Sequence, residues 1–320
     1  MVNTLIDGGS HVDRALSNIA VQAFEAEGSD FIAPMLFPAV PVEKQSDGYY
    51  VIDPASWLRV ENTRRSPKAP ANAGEWKVST ATYFAQNWAF RTDHALETLS
   101  NADAALRIRQ GSTEYVVSML KRDMEVRVAN QVTSISNVGS GVILSGNSLW
   151  SDFVNSDPIS DVKTGHAFIE NNTGLSANTA AMDKDTYRML KIHPVIRDYA
   201  KQTIPGPVPD TVLKELFEVE NLWVAKGIRN TANEGATATF SNIWGNNFLL
   251  ARIDRRPVSL KTATLGLGMR WQPEGFPAGM AVERYRDGDP STKKEWIESQ
   301  FFQDEKIVAS DLGYLISTTL

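Results

Sequence analysis

Asn178-Thr179-Ala180-Ala181-Met182-Asp183-Lys184-Asp185-Thr186-Tyr187-Arg188-Met189-Leu190-Lys191-Ile192-His193-Pro194-Val195-Ile196-Arg197-Asp198 decides how the chain is read. Thr179 to Met182 is a short apolar run that predicts a strand. Asp183 follows at the position where a carboxylate accepts the free N–H groups of a first helical turn, so a helix is predicted from Lys184 to His193. Pro194 then opens a second short helix reaching about Lys201. Working outward, Asp157-Pro158-Ile159 starts a helix through about Asn171, and Asp210 caps Thr211 to Phe217. Leu222-Trp223-Val224-Ala225 is a buried-strand pattern, and Asn242 to Ile253 reads as another. Strands alternating with helices over 150–256 predict a compact α/β or α+β unit.

Upstream lies the clearest helix, residues 99–134, with Ser100 or Asn101 as its cap. Val117, Leu120, Met124 and Val128 form its apolar stripe, while Lys121 with Glu125 and Asp123 with Arg127 stand at i,i+4 as opposite charges. Gly111 is where it would bend or split. Ile135 to Trp150 is rich in Gly and Ser and marks a boundary. Before the helix, Gly48 to Ile52 and Trp76 to Tyr83, continued to Phe90, are strand-like and enclose Glu61 to Gly74, a long polar loop. A lone two-stranded ribbon is marginal in water and needs a partner surface, so the tip of this excursion reads as an interaction arm or else a disordered loop, the strands behind it favouring the arm. Arg64, Arg65 and Lys68 sit near its tip.

At the start, Val12 to Ala26 is an amphipathic helix with Leu16, Ile19, Ala20 and Phe24 at helical spacing. Phe31, Met35 and Phe37 follow among Pro34, Pro38 and Pro41, a density that argues against a regular helix and for an extended apolar arm lying on something else. The last stretch, 257–320, is β-rich: 266–271, 281–285, 296–302, 306–309 and 313–316 carry strand patterns.

The 320 residues are 42% hydrophobic and 22% charged, which is ordinary for a folded chain with a core. The formal net charge is -6, against strong nucleic-acid binding by phosphate neutralisation. With no cysteine there is no disulfide, thiol nucleophile or Cys-ligated zinc. No stretch is long and apolar enough for a membrane span, and the start lacks a secretory pattern. The four histidines, 11, 94, 166 and 193, fall at no metal-ligand spacing, and His193 is placed at a helix end in a cap or surface role. Gly139-Ser140-Gly141 lacks the Lys-Ser/Thr of a phosphate loop and reads as a flexible linker. Asp183 with Asp185, and Asp287 with Asp289, are helix-start and turn chemistry rather than acid–base pairs. The eight tryptophans are scattered, as core and interface anchors are, rather than gathered into a base-stacking surface. No metal, cofactor or catalytic set is read, so the chain is expected not to be an enzyme.

The succession of parts resembles the major capsid proteins of tailed bacteriophages. The pattern from Asn178 to Asp198 is similar to that family's strand, cap and Y-x-x-L-x-x-H-P-x-I-x-D helix. Leu213 to Phe217, Glu220 to Ala225, Asn230-Thr231-Ala232 and Ile243-Trp244-Gly245-Asn246 follow in the family's order. The resemblance implies an α+β capsid fold with an N-terminal arm (1–41), an extended loop (42–95), a spine helix with the first part of a peripheral domain (96–149), an axial domain (150–262) and the rest of the peripheral domain (263–320). It implies pentamers and hexamers of this one chain forming an icosahedral head around double-stranded DNA, bound without sequence specificity. It further implies a separate scaffolding protein (no preceding scaffold segment is seen), a portal, and in some relatives a decoration protein, with the product in the virion after assembly in the host cytoplasm. The covalent crosslink of some relatives is not carried over. Candidate inter-subunit contacts are Arg64, Arg65, Lys68, Phe31, Met35 and Phe37. An encapsulin-like nanocompartment shell is the alternative, and an enzyme with an unrecognised site the remote one.

Overall fold

A computed structural model describes residues 11–25, 30–52, 58–68, 70–73, 78–101, 105–201, 208–255, 263–274, 276, 279–287 and 293–320. In chain order the elements are β1 (His11–Val12), α1 (Arg14–Glu25), α2 (Ala33–Leu36), β2 (Ala39–Val42), β3 (Ser46–Ile52), β4 (Val78–Phe84), β5 (Gln86–Ala95), α3 (Leu96–Asn101) and α4 (Ala105–Val132). There follow β6 (Ser140–Ile143), α5 (Pro158–Thr173), β7 (Thr179–Asp183), α6 (Lys184–Ile192), α7 (Pro194–Lys201), α8 (Asp210–Leu216), β8 (Asn221–Ala225), β9 (Ile228–Asn230), β10 (Phe240–Asn242) and β11 (Asn247–Ala251). The chain closes with β12 (Gly266–Trp271), β13 (Met280–Arg286), β14 (Lys294–Ile307) and β15 (Gly313–Ser317).

Two sheets organise the molecule. The first is built on β14, a single strand where the sequence predicts two. One edge of β14 pairs with β13 and then β12, placed end to end, and the other edge pairs with β5 from Lys294↔Ala95 to Gln303↔Gln86. β1 and β2 extend the sheet outside β13 and β12. Alternate residues from Glu295 to Glu305 on β14 are buried, as a period-two strand requires when one face is covered. The second sheet has the order β6-β15-β11-β7-β8, with parallel pairing at both ends and antiparallel pairing between. Its strands β6 and β15 come from outside 150–262, so segments on both sides of that stretch complete it.

The 28 residues of α4 make a rod about 42 Å long. Val117, Leu120, Met124 and Val128 are all buried along it, as the stripe requires. The helix passes through Gly111 without a break, because tertiary packing over many turns outweighs one unfavourable residue of about 1 kcal/mol. Ser100 and Asn101 do not cap it, since both already lie within the helical turns of α3. At the predicted strand–cap–helix, Asp183 accepts from Asp185 N at 3.0 Å, and α6 ends at His193 before Pro194.

Several expectations are corrected. The proline-dense segment holds a short helix, α2, with Pro34 in its first turn, where the missing N–H has no partner to lose. Gly139-Ser140-Gly141 is no flexible linker: β6 runs parallel to β15, and a Cβ on Gly141 would collide with the Leu315 carbonyl. Asn242 to Ile253 is interrupted at Ile243-Trp244-Gly245 into β10 and β11. Asp210 is the first residue of α8 after Pro209, and its carboxylate instead takes the Tyr187 hydroxyl at 2.6 Å and the Lys191 ammonium at 2.8 Å.

Candidate assembly surface

β3 and β4 form a ribbon paired from Ser46↔Phe84 to Ile52↔Val78. Its root is fixed to the body. Tyr83 Oη donates to the Lys44 carbonyl at 3.0 Å, Ala85 N donates to the Gln45 carbonyl at 2.8 Å, and Phe84 N donates to Asp304 Oδ2 on β14 at 2.9 Å. Beyond the root the ribbon makes little use of its own chain. Tyr50 is 74% exposed and Val60 96%. Every described residue from 58 to 73 is exposed. That stretch carries Arg59, Arg64, Arg65 and Lys68 against Glu61 alone, a basic tip on an acidic chain. The Arg59–Glu61 pair at 3.6 Å is solvated on both sides and worth little. The tip is nevertheless shaped: Asn72 Nδ2 donates to the Asn62 carbonyl at 2.7 Å, and Arg64 N donates to Asn62 Oδ1 at 3.0 Å.

The sequence-derived contact residues divide into two groups. Arg64, Arg65 and Lys68 stand together on the exposed tip. Phe31 and Met35 are half-buried far along the chain from it, and Phe31 has the Arg122 guanidinium 5.8 Å from its ring centre. Phe37 is fully buried and lies against Gly266 of β12, where no Cβ would fit. Its ring is therefore packed within its own subunit, because the arm lies on its own chain at this point.

Under these surfaces a polar framework fixes the long helix. Arg109 donates to both oxygens of buried Glu295 at 2.7 and 3.1 Å. Arg127 does the same to Glu305 at 3.2 and 2.9 Å, and its guanidinium lies 3.6 Å from the Trp88 ring centre. Two forked pairs thus clamp α4 to β14 near both ends of the helix, the geometry in which buried arginine is strongest. Arg127 also meets Asp123, as the spacing predicts.

Lys121 and Glu125 do not pair. The Lys121 ammonium donates to the Ala23 carbonyl at 2.6 Å. Glu125 is fully buried; its Oε2 accepts from Ala33 N at 2.7 Å and its Oε1 from Trp244 Nε1 at 2.6 Å. One carboxylate therefore joins the N-terminal segment, α4 and the loop before β11. Burial pushes the Glu125 carboxyl up, opposed by these hydrogen bonds. Asp183 is likewise pushed up by burial, and Asn242 Nδ2 bridges Asp183 and Asp185 at 3.1 and 2.7 Å. His193 is fully buried rather than at the surface, and His166 donates to the Phe217 carbonyl at 2.7 Å. Among the described residues no group of three His, Asp or Glu side chains is placed to hold a metal ion, and no helix is long and apolar enough to cross a membrane.

No family model matches the chain. Curated relatives are phage major capsid proteins; that of Burkholderia phage BcepMu is 25% identical over 316 residues, covering 96% of each chain. A phage-related protein from Bordetella bronchiseptica RB50 shares the fold with a TM-score of 0.76 and 22% identity, over 97% of this chain and 98% of that one. The mature capsid of bacteriophage PhiM1 aligns with a TM-score of 0.56 at 9% identity, over 92% and 88%. The expected α+β architecture is the one observed, and the chain is a homologue of phage major capsid proteins, built on the tailed-phage capsid fold.

Proposed function

We propose that the chain is the subunit of an icosahedral phage head, gathered into pentamers and hexamers around double-stranded DNA. The observation that carries this reading is the β3–β4 ribbon: a rooted element whose described tip residues are all exposed. Such a ribbon is marginal alone and gains stability on a neighbouring copy. The basic tip of Arg64, Arg65 and Lys68 then meets an acidic surface of that neighbour, and Phe31 and Met35 offer a smaller apolar contact. In this assignment 1–41 is the arm, 42–95 the extended loop, 96–149 the spine and first peripheral part, 150–262 the axial domain and 263–320 the second peripheral part. The net charge of -6 suits a wall past which packaged DNA slides without being gripped. Assembly in the host cytoplasm uses a separate scaffolding protein and a portal, with a decoration protein as a further partner, and no catalysis. Quantitative peptide analysis of particles purified from a producing lysate tests the reading. DNA-filled particles in which this chain is the most abundant protein are expected; particles holding an enzyme cargo and no DNA would transfer the chain to the nanocompartment shells.

A further inference from the structure

We propose that His193 is an acid-released latch that holds the 152–156 loop over the junction of α6 and α7. The Ser156 hydroxyl donates to the Asp152 carbonyl at 2.6 Å. Its lone pairs are left to accept, so His193 Nε2, 3.0 Å away, carries the ring proton. Nδ1 is then a bare lone pair, buried and without a hydrogen-bond partner among the described residues. The Phe153 ring closes over the imidazole edge-on at 5.5 Å. The loop is thus attached to the helix junction at two points, and both end on one imidazole.

The charged groups around the ring are already engaged. Asp152 turns its carboxylate onto its own loop, accepting from Val154 N, Asn155 N and Asn155 Nδ2. Asp157, at the head of α5, is the carboxylate that acts on the ring, yet its Oδ1 caps Ile159 N and Ser160 N. On α6, Arg188 is paired with Asp185 and Lys191 with Asp210. From α7 it is backbone that reaches His193, Arg197 N donating to its carbonyl at 3.0 Å. A proton added to Nδ1 places a charge and an unmatched donor where no described residue accepts it. The donor finds water only if the ring leaves, and Phe153 and Ser156 leave with it. Val154, between the two attachment points, faces solvent with 88% of its surface exposed and adds no anchor of its own.

The sign follows from burial, which lowers the ring's pKa in the closed state. Closure is fully favoured above about pH 6.5, the ordinary imidazole value, and weakens as pH falls towards the closed-state pKa. Over that window the ratio of open to closed loop rises tenfold per pH unit. Hydrogen exchange of the full chain between pH 7.5 and 5, corrected for the intrinsic rate, tests this. Opening of 150–157 and 190–197 is expected to rise steeply below pH 6.5 in the wild type and to stay flat in His193→Gln, which keeps a donor for Ser156 and does not titrate. A flat wild-type profile, or the same slope in H193Q, overturns the latch. Should H193Q fail to fold, nitrogen-15 NMR of the wild-type ring decides: an Nε2–H tautomer with a depressed titration supports the latch, and a ring titrating at its ordinary value or above overturns it.

Discussion

Replacing Glu125 by Gln keeps the size of the side chain and removes one of its two acceptors. In the wild type, Ala33 N and Trp244 Nε1 each donate to a separate carboxylate oxygen, at 2.7 and 2.6 Å. A glutamine offers one carbonyl oxygen and turns an NH2 donor towards the remaining N–H. One hydrogen bond to a charged group is lost, at about 1.5–3 kcal/mol, and a buried donor is left unmatched, at about 1–3 kcal/mol. Against this, the variant no longer buries a carboxylate without a counter-ion. The net destabilisation is set at about 1.5–3 kcal/mol, the range those terms share. Urea unfolding of the unassembled chain measures it as a lower midpoint at unchanged slope. A cycle with Trp244→Phe isolates the coupling, expected at about 1 kcal/mol or more for groups in direct contact. The pH dependence gives a second reading. Burial raises the folded pKa of Glu125, so its contribution is fully present below the unfolded value of about 4.3 and is lost as pH rises through the folded pKa. E125Q removes that slope. An E125Q midpoint within error of the wild type, with no coupling to Trp244, would refute the view that this carboxylate joins the N-terminal segment to the helix.

Arg127→Met strands the buried Glu305 carboxylate and is expected to cost about 3–5 kcal/mol, while the double change with Glu305→Met recovers much of it, as thermal unfolding would record. Gly141→Ala drives a methyl group onto the Leu315 backbone and is expected to lower stability by about 1–3 kcal/mol, measured as a lower urea midpoint. Joint replacement of Arg64, Arg65 and Lys68 by Glu changes only exposed side chains, so unfolding of the lone chain stays within about 0.5 kcal/mol of wild type. Assembly followed by light scattering should nevertheless slow for that triple variant, and more so at low salt.

The elements with strong local signals were legible in the residues. Leu16, Ala20 and Phe24 announce α1 at helical spacing, and Asp183 before Pro194 brackets α6, because these signals act within one or two turns. Partnerships across the fold were not legible. Lys121 and Glu125 have the spacing of an ion pair, but each meets a backbone or ring donor or acceptor distant in sequence, and burial decided their partners. Gly139 and Gly141 have a linker's composition, although their small size serves close approaches, of Gly139 to the Ser310–Asp311 backbone and of Gly141 to Leu315 on β15. Phe37 looked like a partner contact because an apolar, proline-rich arm shows no sign of which chain it lies on. At the tip, the exposure of Arg64, Arg65 and Lys68 was legible, because a charged and polar stretch offers little to bury.

Assembly of many copies is the central claim, and electron microscopy of the chain co-expressed with its scaffolding protein tests it most directly. The account predicts closed shells built from rings of five and six, with the β3–β4 ribbon of each subunit lying on its neighbour. A scaffold-supplied preparation that remained a monomer of 35.3 kDa would contradict it.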